Sequence, residues 1–217
     1  MTEDTFINLY WKQFLMIEKE FRQVIKYVAI SEDNFDAYSD FFAKIILQIG
    51  SEVDIVAKVL CKEHNTESKA DGINKYRDEI LKAHPELEKV TVVCADIELI
   101  PWRDWSESTP LWWRIYNGIK HNRCGIETYN DEAKESYKFA NLRDTLNALA
   151  GLYLINLYLF QSLLGRNIHI DTPMPGSRLF KPINQGWEVK NTYADSALYV
   201  YDERLVYTLP QYLYSDL

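Results

Sequence analysis

"ALAGLYLINLYLFQSLLG", residues 148–165, decides the architecture of this chain. It carries no charged residue, and any helix drawn through it is apolar nearly all round. Such a helix has two homes, a lipid bilayer or the middle of a bundle of other helices. A membrane span needs about 20 clean apolar residues. Asn156, Gln161 and Ser162 interrupt this one. The segment is therefore read as the buried centre of a bundle, in a helix beginning near Tyr137, and no membrane partner is expected.

A buried central helix needs neighbours, and the upstream sequence offers them. Ile7, Tyr10, Phe14, Ile17, Phe21, Val24 and Val28 recur at steps of three and four, the period of a helix with one apolar stripe. Ser31 or Asn34 then provides an N-cap for a second long helix. Its stripe runs through Phe35, Tyr38, Phe42, Ile45, Ile49, Val53, Val56 and Leu60. Gly50 inside that stripe costs about 1 kcal/mol relative to Ala, and so marks a close helix crossing. After the polar loop "NTESKAD", the segment "GINKYRDEILKAH" reads as a shorter helix stopped by Pro85.

The period then changes. "KVTVVCADIELIP", residues 89–101, is β-branched and roughly alternating, which predicts a strand. Thr109-Pro110 opens another helix, with Thr as N-cap and Pro at the first helical position. "ETYNDEAKES" after Gly125 reads as a loop. The fold class is thus mainly α: a bundle of about five helices with a small β-element from residues about 89–101 and the C-terminal arm. Residues 1–165 form the bundle domain. Residues 166–217 are an irregular arm, rich in Pro, Gly and Asn at first, with a short β-hairpin in "ALYVYDERLVYTLP".

Composition narrows the function. A formal net charge of −8 disfavours non-specific binding to a phosphate backbone. The local exception is the short cationic run Lys120 to Arg123. Cys61, Cys94 and Cys124 are odd in number and far apart, as expected of reduced thiols in a cytoplasm. The start "MTEDTF" is acidic, so no signal peptide is expected. Phosphate-loop, dinucleotide and serine-elbow motifs are absent from the sequence. Cys61 and His64 sit three apart, which is half of a metal site; without a second pair, neither metal nor cofactor is expected. Tyr199, Tyr201 and Tyr207 alternate as a base-stacking platform or, more simply, as sheet packing.

The stretch with chemical potential is "LWWRIYNGIKHNR", residues 111–123. At ~100° per residue, Trp112, Ile115, Tyr116 and Ile119 share the apolar face. Arg114, Asn117, Gly118 and His121 share the opposite one, with Trp113 and Lys120 on a flank. A guanidinium grips a phosphate with paired donors. An imidazole moves a proton to or from a ribose oxygen near neutral pH. The plain alternative is a solvated helix face, with Lys120, His121 and Arg123 placed where cations suit a helix C-terminus.

The Arg and His within "RIYNGIKH", on a helix followed by a long apolar one, resemble the signature of the HEPN superfamily. That resemblance implies an all-helical, usually dimeric protein. It also implies metal-independent ribonuclease activity of the kind found in toxin–antitoxin and antiphage defence, with Arg and His from two subunits meeting in a cleft. Carried over, Arg114 and His121 are the catalytic pair and Asn117 their polar helper. Trp113, Lys120 and Arg123 are read as binding residues beside them, Trp113 and Arg114 being residue types enriched at interfaces. The sequence departs from the family pattern in one respect: Ile115 stands directly after the Arg, where active members place a polar residue. The alternative reading is a non-catalytic module whose polar face meets a protein partner or a second copy.

Overall fold

The computed structural model describes residues 1–164 and 172–183. Among these residues lie five helices and two small antiparallel sheets, the mainly α architecture with a minor β-element that the sequence implies.

Helix α1 spans residues 3–24 in three stretches: Glu3–Phe6, a π turn Ile7–Trp11, and Lys12–Val24. The π turn corrects the expected stripe. Its extra residue brings Phe6 and Trp11, five apart, onto the core side, where both are fully buried. Ile7 and Tyr10, which a regular helix would bury, are only half-buried. Beyond the bulge the expected period holds through the buried Phe14, Ile17 and Phe21, but the helix ends at Val24, so Val28 falls past it and both valines are half-buried.

Helix α2 is Asp40–His64, capped by Ser39, whose hydroxyl oxygen accepts the Phe42 N–H at 3.1 Å. The start expected at Ser31 or Asn34 is corrected. Ser31 caps only a single 3-10 turn, Glu32–Asn34. The backbone that follows is spent elsewhere. The carbonyls of Phe35 and Ala37 accept the N–H groups of Arg143 and Leu142, and Tyr38 forms a β-bridge with Asn141. These contacts tie residues 35–38 to the first turn of the last helix, α5 (Leu142–Leu163), so they cannot also be helical.

Helix α3, Ile73–Ala83, docks on α2, with the Tyr76 hydroxyl donating to Asp54 Oδ1 at 2.7 Å. The strand expected over residues 89–101 is a tight hairpin, β1 (Thr91–Cys94) and β2 (Ile97–Leu99). Ala95 takes a left-handed φ of 53° to turn it. A third strand, β5 (Phe180–Ile183), pairs antiparallel with β1, giving the order β2-β1-β5. That strand lies in the stretch read as irregular. The hairpin expected in residues 197–210, with its three tyrosines, lies outside the described residues.

The arm is held by two buried anchors on α1. Trp11 Nε1 donates to the Pro175 carbonyl at 2.8 Å. The Glu18 carboxylate, 2% exposed, accepts the backbone N–H groups of Arg178 and Leu179, each at 3.1 Å, and the Ser177 hydroxyl. Burial raises the pKa of this carboxyl, and those donors oppose the rise.

Helix α5 is the centre that its sequence implies, with every residue from Leu152 to Phe160 buried, but it begins at Leu142 behind an Asn141 cap rather than near Tyr137, which lies in a separate 3-10 turn, Ser136–Phe139. By length and composition it is the one helix among the described residues that could cross a membrane, yet 78% of its apolar window is covered by the rest of the fold. Asn156 is accommodated inside by donating its amide N–H to the Leu152 carbonyl at 2.9 Å.

Candidate functional site

Helix α4, Leu111–Asn122, carries the candidate residues. It starts one residue later than expected. Pro110 is the extended cap residue rather than the first helical one, and its carbonyl accepts the Trp113 and Arg114 N–H groups. The Thr109 hydroxyl donates to Asn74 Oδ1 at 3.3 Å instead of capping.

The apolar face is buried as expected: Trp112, Ile115, Tyr116 and Ile119 are each 5% exposed or less. Two glycines let it approach its neighbours. A Cβ at Gly50 of α2 would lie 2.3 Å from the Tyr116 ring, and one at Gly151 of α5 would lie 3.0 Å from the Trp112 ring. The crossing expected from Gly50 is therefore real, and Tyr116 is what crosses there. Trp112 Nε1 donates to the Pro101 carbonyl at 2.8 Å, and its ring packs edge-on against Trp102 at 5.1 Å.

Trp113 corrects the picture of a flanking, solvent-facing ring. It is 5% exposed and packs against Trp112 and Tyr116, with ring centroids 5.9 and 5.0 Å away. Its indole extends an aromatic cluster of Trp102, Trp105 and Trp112, and it is not offered to a ligand. The stretch "PWRDWSESTPLWW" packs four tryptophans into 12 residues, from 102 to 113. That density was the available signal for a local aromatic core.

The polar face divides into three. Arg114 is exposed, and its guanidinium lies over the Tyr129 ring at 5.4 Å to the centroid. Asn117 is half-buried. His121 is exposed, one residue before the end of an unbroken helix. Lys120 is also exposed, with its ammonium 5.4 Å from the Tyr116 ring centroid, and Arg123 follows at the C-cap. Lys120 and Arg123, on either side of His121, form a cationic end where the helix dipole is negative.

The residues read as a loop after Gly125 alter this face. They form a hairpin, β3 (Ile126–Tyr129) and β4 (Glu132–Glu135), turned by Asn130 and Asp131, both at positive φ. This is the two-residue turn that Asn and Asp favour. The hairpin folds back onto α4. Tyr129 donates its hydroxyl to the Arg114 carbonyl at 3.2 Å, and that oxygen would lie 3.1 Å from a Cβ at Gly118. The middle of the polar face is therefore covered, while its two ends, Arg114 and His121, stay in solvent. The signal missed in the sequence was the alternation around Asn130-Asp131.

Cys61 and His64 do not come together as a pair. Cys61 is fully buried beside Glu79, and burial pushes its thiol up to about 12. His64 meets a different partner, His84, with Nε2 atoms 2.9 Å apart. Among the described residues no group of three or more His, Cys, Asp or Glu is placed to hold a metal ion. The three cysteines are free.

The class defined so far is a mainly α-helical bundle protein with a small sheet and a cationic helix end. Comparison with protein-family models, with curated proteins and with solved structures finds no match to this chain.

Proposed function

We propose that this chain is a HEPN-like protein of the cytoplasm that cleaves RNA without a metal, as a homodimer, in a toxin–antitoxin or antiphage setting. The observation that carries the reading is the exposure of Arg114 and His121 at the two ends of one face of an uninterrupted helix.

The chemistry follows from the side chains. The His121 imidazole takes the proton of a ribose 2′-hydroxyl as that oxygen attacks the adjacent phosphorus. A protonated imidazole returns a proton to the departing 5′ oxygen. The Arg114 guanidinium, already turned toward one side by Tyr129, holds the phosphate oxygens as their charge builds. The half-buried Asn117 amide orients one of these groups. Lys120 and Arg123 attract the flanking phosphates, which the net charge of −8 otherwise repels. Seven residues of helix place Arg114 and His121 about 10 Å apart along the axis. A twofold-related copy closes that distance by setting one subunit's Arg114 against the other's His121.

The test is cleavage of RNA in EDTA by the wild type, His121→Ala and Arg114→Ala, with the mass in solution measured by light scattering. Cleavage lost in both variants of a dimeric protein is expected. Equal cleavage by all three, or none by the wild type, removes the nuclease. A second reading rests on the hairpin over Gly118: the face is a non-catalytic surface for a protein partner or a second copy. It requires Arg114→Ala to change the oligomeric state or partner capture while His121→Ala changes neither.

A further inference from the structure

A second site lies where three helices end, and it shares no residue with the α4 face. His64 is the last residue of α2. His84 follows the last turn of α3, held there by its N–H bond to the Ile80 carbonyl. Ser162 belongs to the last turn of α5. Their side chains converge: the two Nε2 atoms stand 2.9 Å apart, and Ser162 Oγ lies 3.4 Å from His64 Nε2. The rings are inclined at 65° with centroids only 4.7 Å apart, too close for the nitrogens to meet head-on. The contact is therefore bent.

The surroundings fix the rings. Glu86 Oε1 lies 3.6 Å from His84 Nδ1. The Tyr158 ring packs edge-on against His84 at 4.5 Å. A carboxylate beside the far ring nitrogen is the second-shell arrangement that serves metal-binding histidines. In the 2.9 Å hydrogen bond one Nε2 donates to the other; once an ion displaces that proton, the two imidazole nitrogens and the adjacent hydroxyl make a small set of donors for a borderline divalent cation.

We propose that His64 and His84 bind a divalent transition cation through Nε2, with the Ser162 hydroxyl and water completing the shell and Glu86 positioning His84. Two nitrogens 2.9 Å apart, each about 2.0–2.1 Å from a shared ion, subtend about 90° there. That angle belongs to octahedral or tetragonal coordination rather than to a tetrahedron, and it favours Ni²⁺ over Zn²⁺. With only two protein nitrogens the ion exchanges readily. Binding fastens the C-terminal ends of α2 and α3 together.

The untagged full-length protein is titrated with Ni²⁺ and, separately, Zn²⁺ against a competing chromophoric chelator. Mg²⁺ serves as the counter-probe. One equivalent of Ni²⁺ is expected to bind more tightly than Zn²⁺, with no competition from Mg²⁺. His64→Gln and His84→Gln each weaken Ni²⁺ at least tenfold. Glu86→Gln weakens it about tenfold, as loss of an outer-shell partner does, with helix content by circular dichroism unchanged in all three. Absence of saturable Ni²⁺ binding, or equal binding by the wild type and both histidine variants, overturns the site. A variant that loses helix content is replaced by Ser162→Ala, in which a weaker Ni²⁺ affinity supports the site and an unchanged one counts against it.

Discussion

Gly50→Ala is the substitution for which helix propensity and packing predict opposite signs. On an isolated helix the change stabilises by about 1 kcal/mol, because Ala loses less backbone entropy than Gly. Here the new methyl would meet Cδ2, Cγ and Cε2 of Tyr116 at 2.3, 2.4 and 2.5 Å. Carbon atoms in contact rest about 3.5–4.0 Å apart, so the ring must retreat by more than about 1 Å. It has little room. Tyr116 is 5% exposed, with Trp113 against one side. The Cγ atom is also the base of the ring, so rotation about χ2 does not move it. Overpacking of this kind costs about 1–3 kcal/mol, and the pinned ring argues for the upper end. The net expectation is a loss of about 2 kcal/mol. Urea unfolding followed by circular dichroism should show a lower midpoint at an unchanged slope. Tyr116→Leu, which removes the ring, should reverse the sign of the Gly50→Ala effect in the double variant. If Gly50→Ala alone leaves the midpoint unchanged or raises it, the close crossing of α2 and α4 is wrong.

Three further substitutions test other parts of the structure. Asp144, in the first turn of α5, has its carboxyl raised to about 6 by burial, against the hydrogen bond from Asn141. The folded state therefore binds this proton more tightly than the unfolded chain does, and stability falls as pH rises from about 4 to about 6. Asp144→Asn should remove that slope and stabilise the protein at pH 7 by up to about 3 kcal/mol, at about 1.4 kcal/mol per pKa unit, read from unfolding midpoints across pH. Glu18→Ala removes the acceptor shared by the Arg178 and Leu179 N–H groups, at about 0.5–1.5 kcal/mol for each lost bond, while Leu179 N–H keeps the Ser177 hydroxyl oxygen at 3.2 Å. Hydrogen exchange should then accelerate at residues 177–180 well before the core. Tyr129→Phe removes the bond to the Arg114 carbonyl and should cost about 0.5–1.5 kcal/mol; an unchanged unfolding midpoint would mean that the hairpin is not fastened to α4 there.

What the sequence made legible was whatever a fixed period writes into it. The apolar run of α5, the crossing at Gly50 and the buried face of α4 all follow from side chains spaced at helical intervals, and each stands as expected. The corrections fall where that period is broken or where a distant segment intervenes. The π turn at Ile7–Trp11 adds one residue, so Phe6 and Trp11 replace Ile7 and Tyr10 in the core. Residues 35–38 give up helix because their carbonyls are taken by residues 142–143, a partner some hundred positions away. β5 is a strand because β1 offers an edge, and a Pro and a Lys within it hide the signal. The His64–His84 contact joins two helix ends 20 residues apart, a pairing that no local spacing announces.

The α4 face shows how a local reading can be right about periodicity and incomplete about access. Helical geometry alone aligns Arg114, Gly118 and His121, and the exposure of the outer two agrees with it. Gly118 lacks a side chain, and that gap admits the Tyr129 hydroxyl, which fastens the hairpin across the centre. The two ends consequently differ in character. The Arg114 guanidinium is steadied on an aromatic ring, whereas among the described residues the His121 imidazole has no hydrogen-bond partner. In the proposed cleavage a phosphate would meet the steadied Arg114 guanidinium first, and the imidazole would be ordered by what binds. The Tyr129 ring therefore matters to the proposed cleavage through Arg114. Tyr129→Ala should weaken RNA binding while His121→Ala abolishes turnover, and the two losses should separate into KM and kcat.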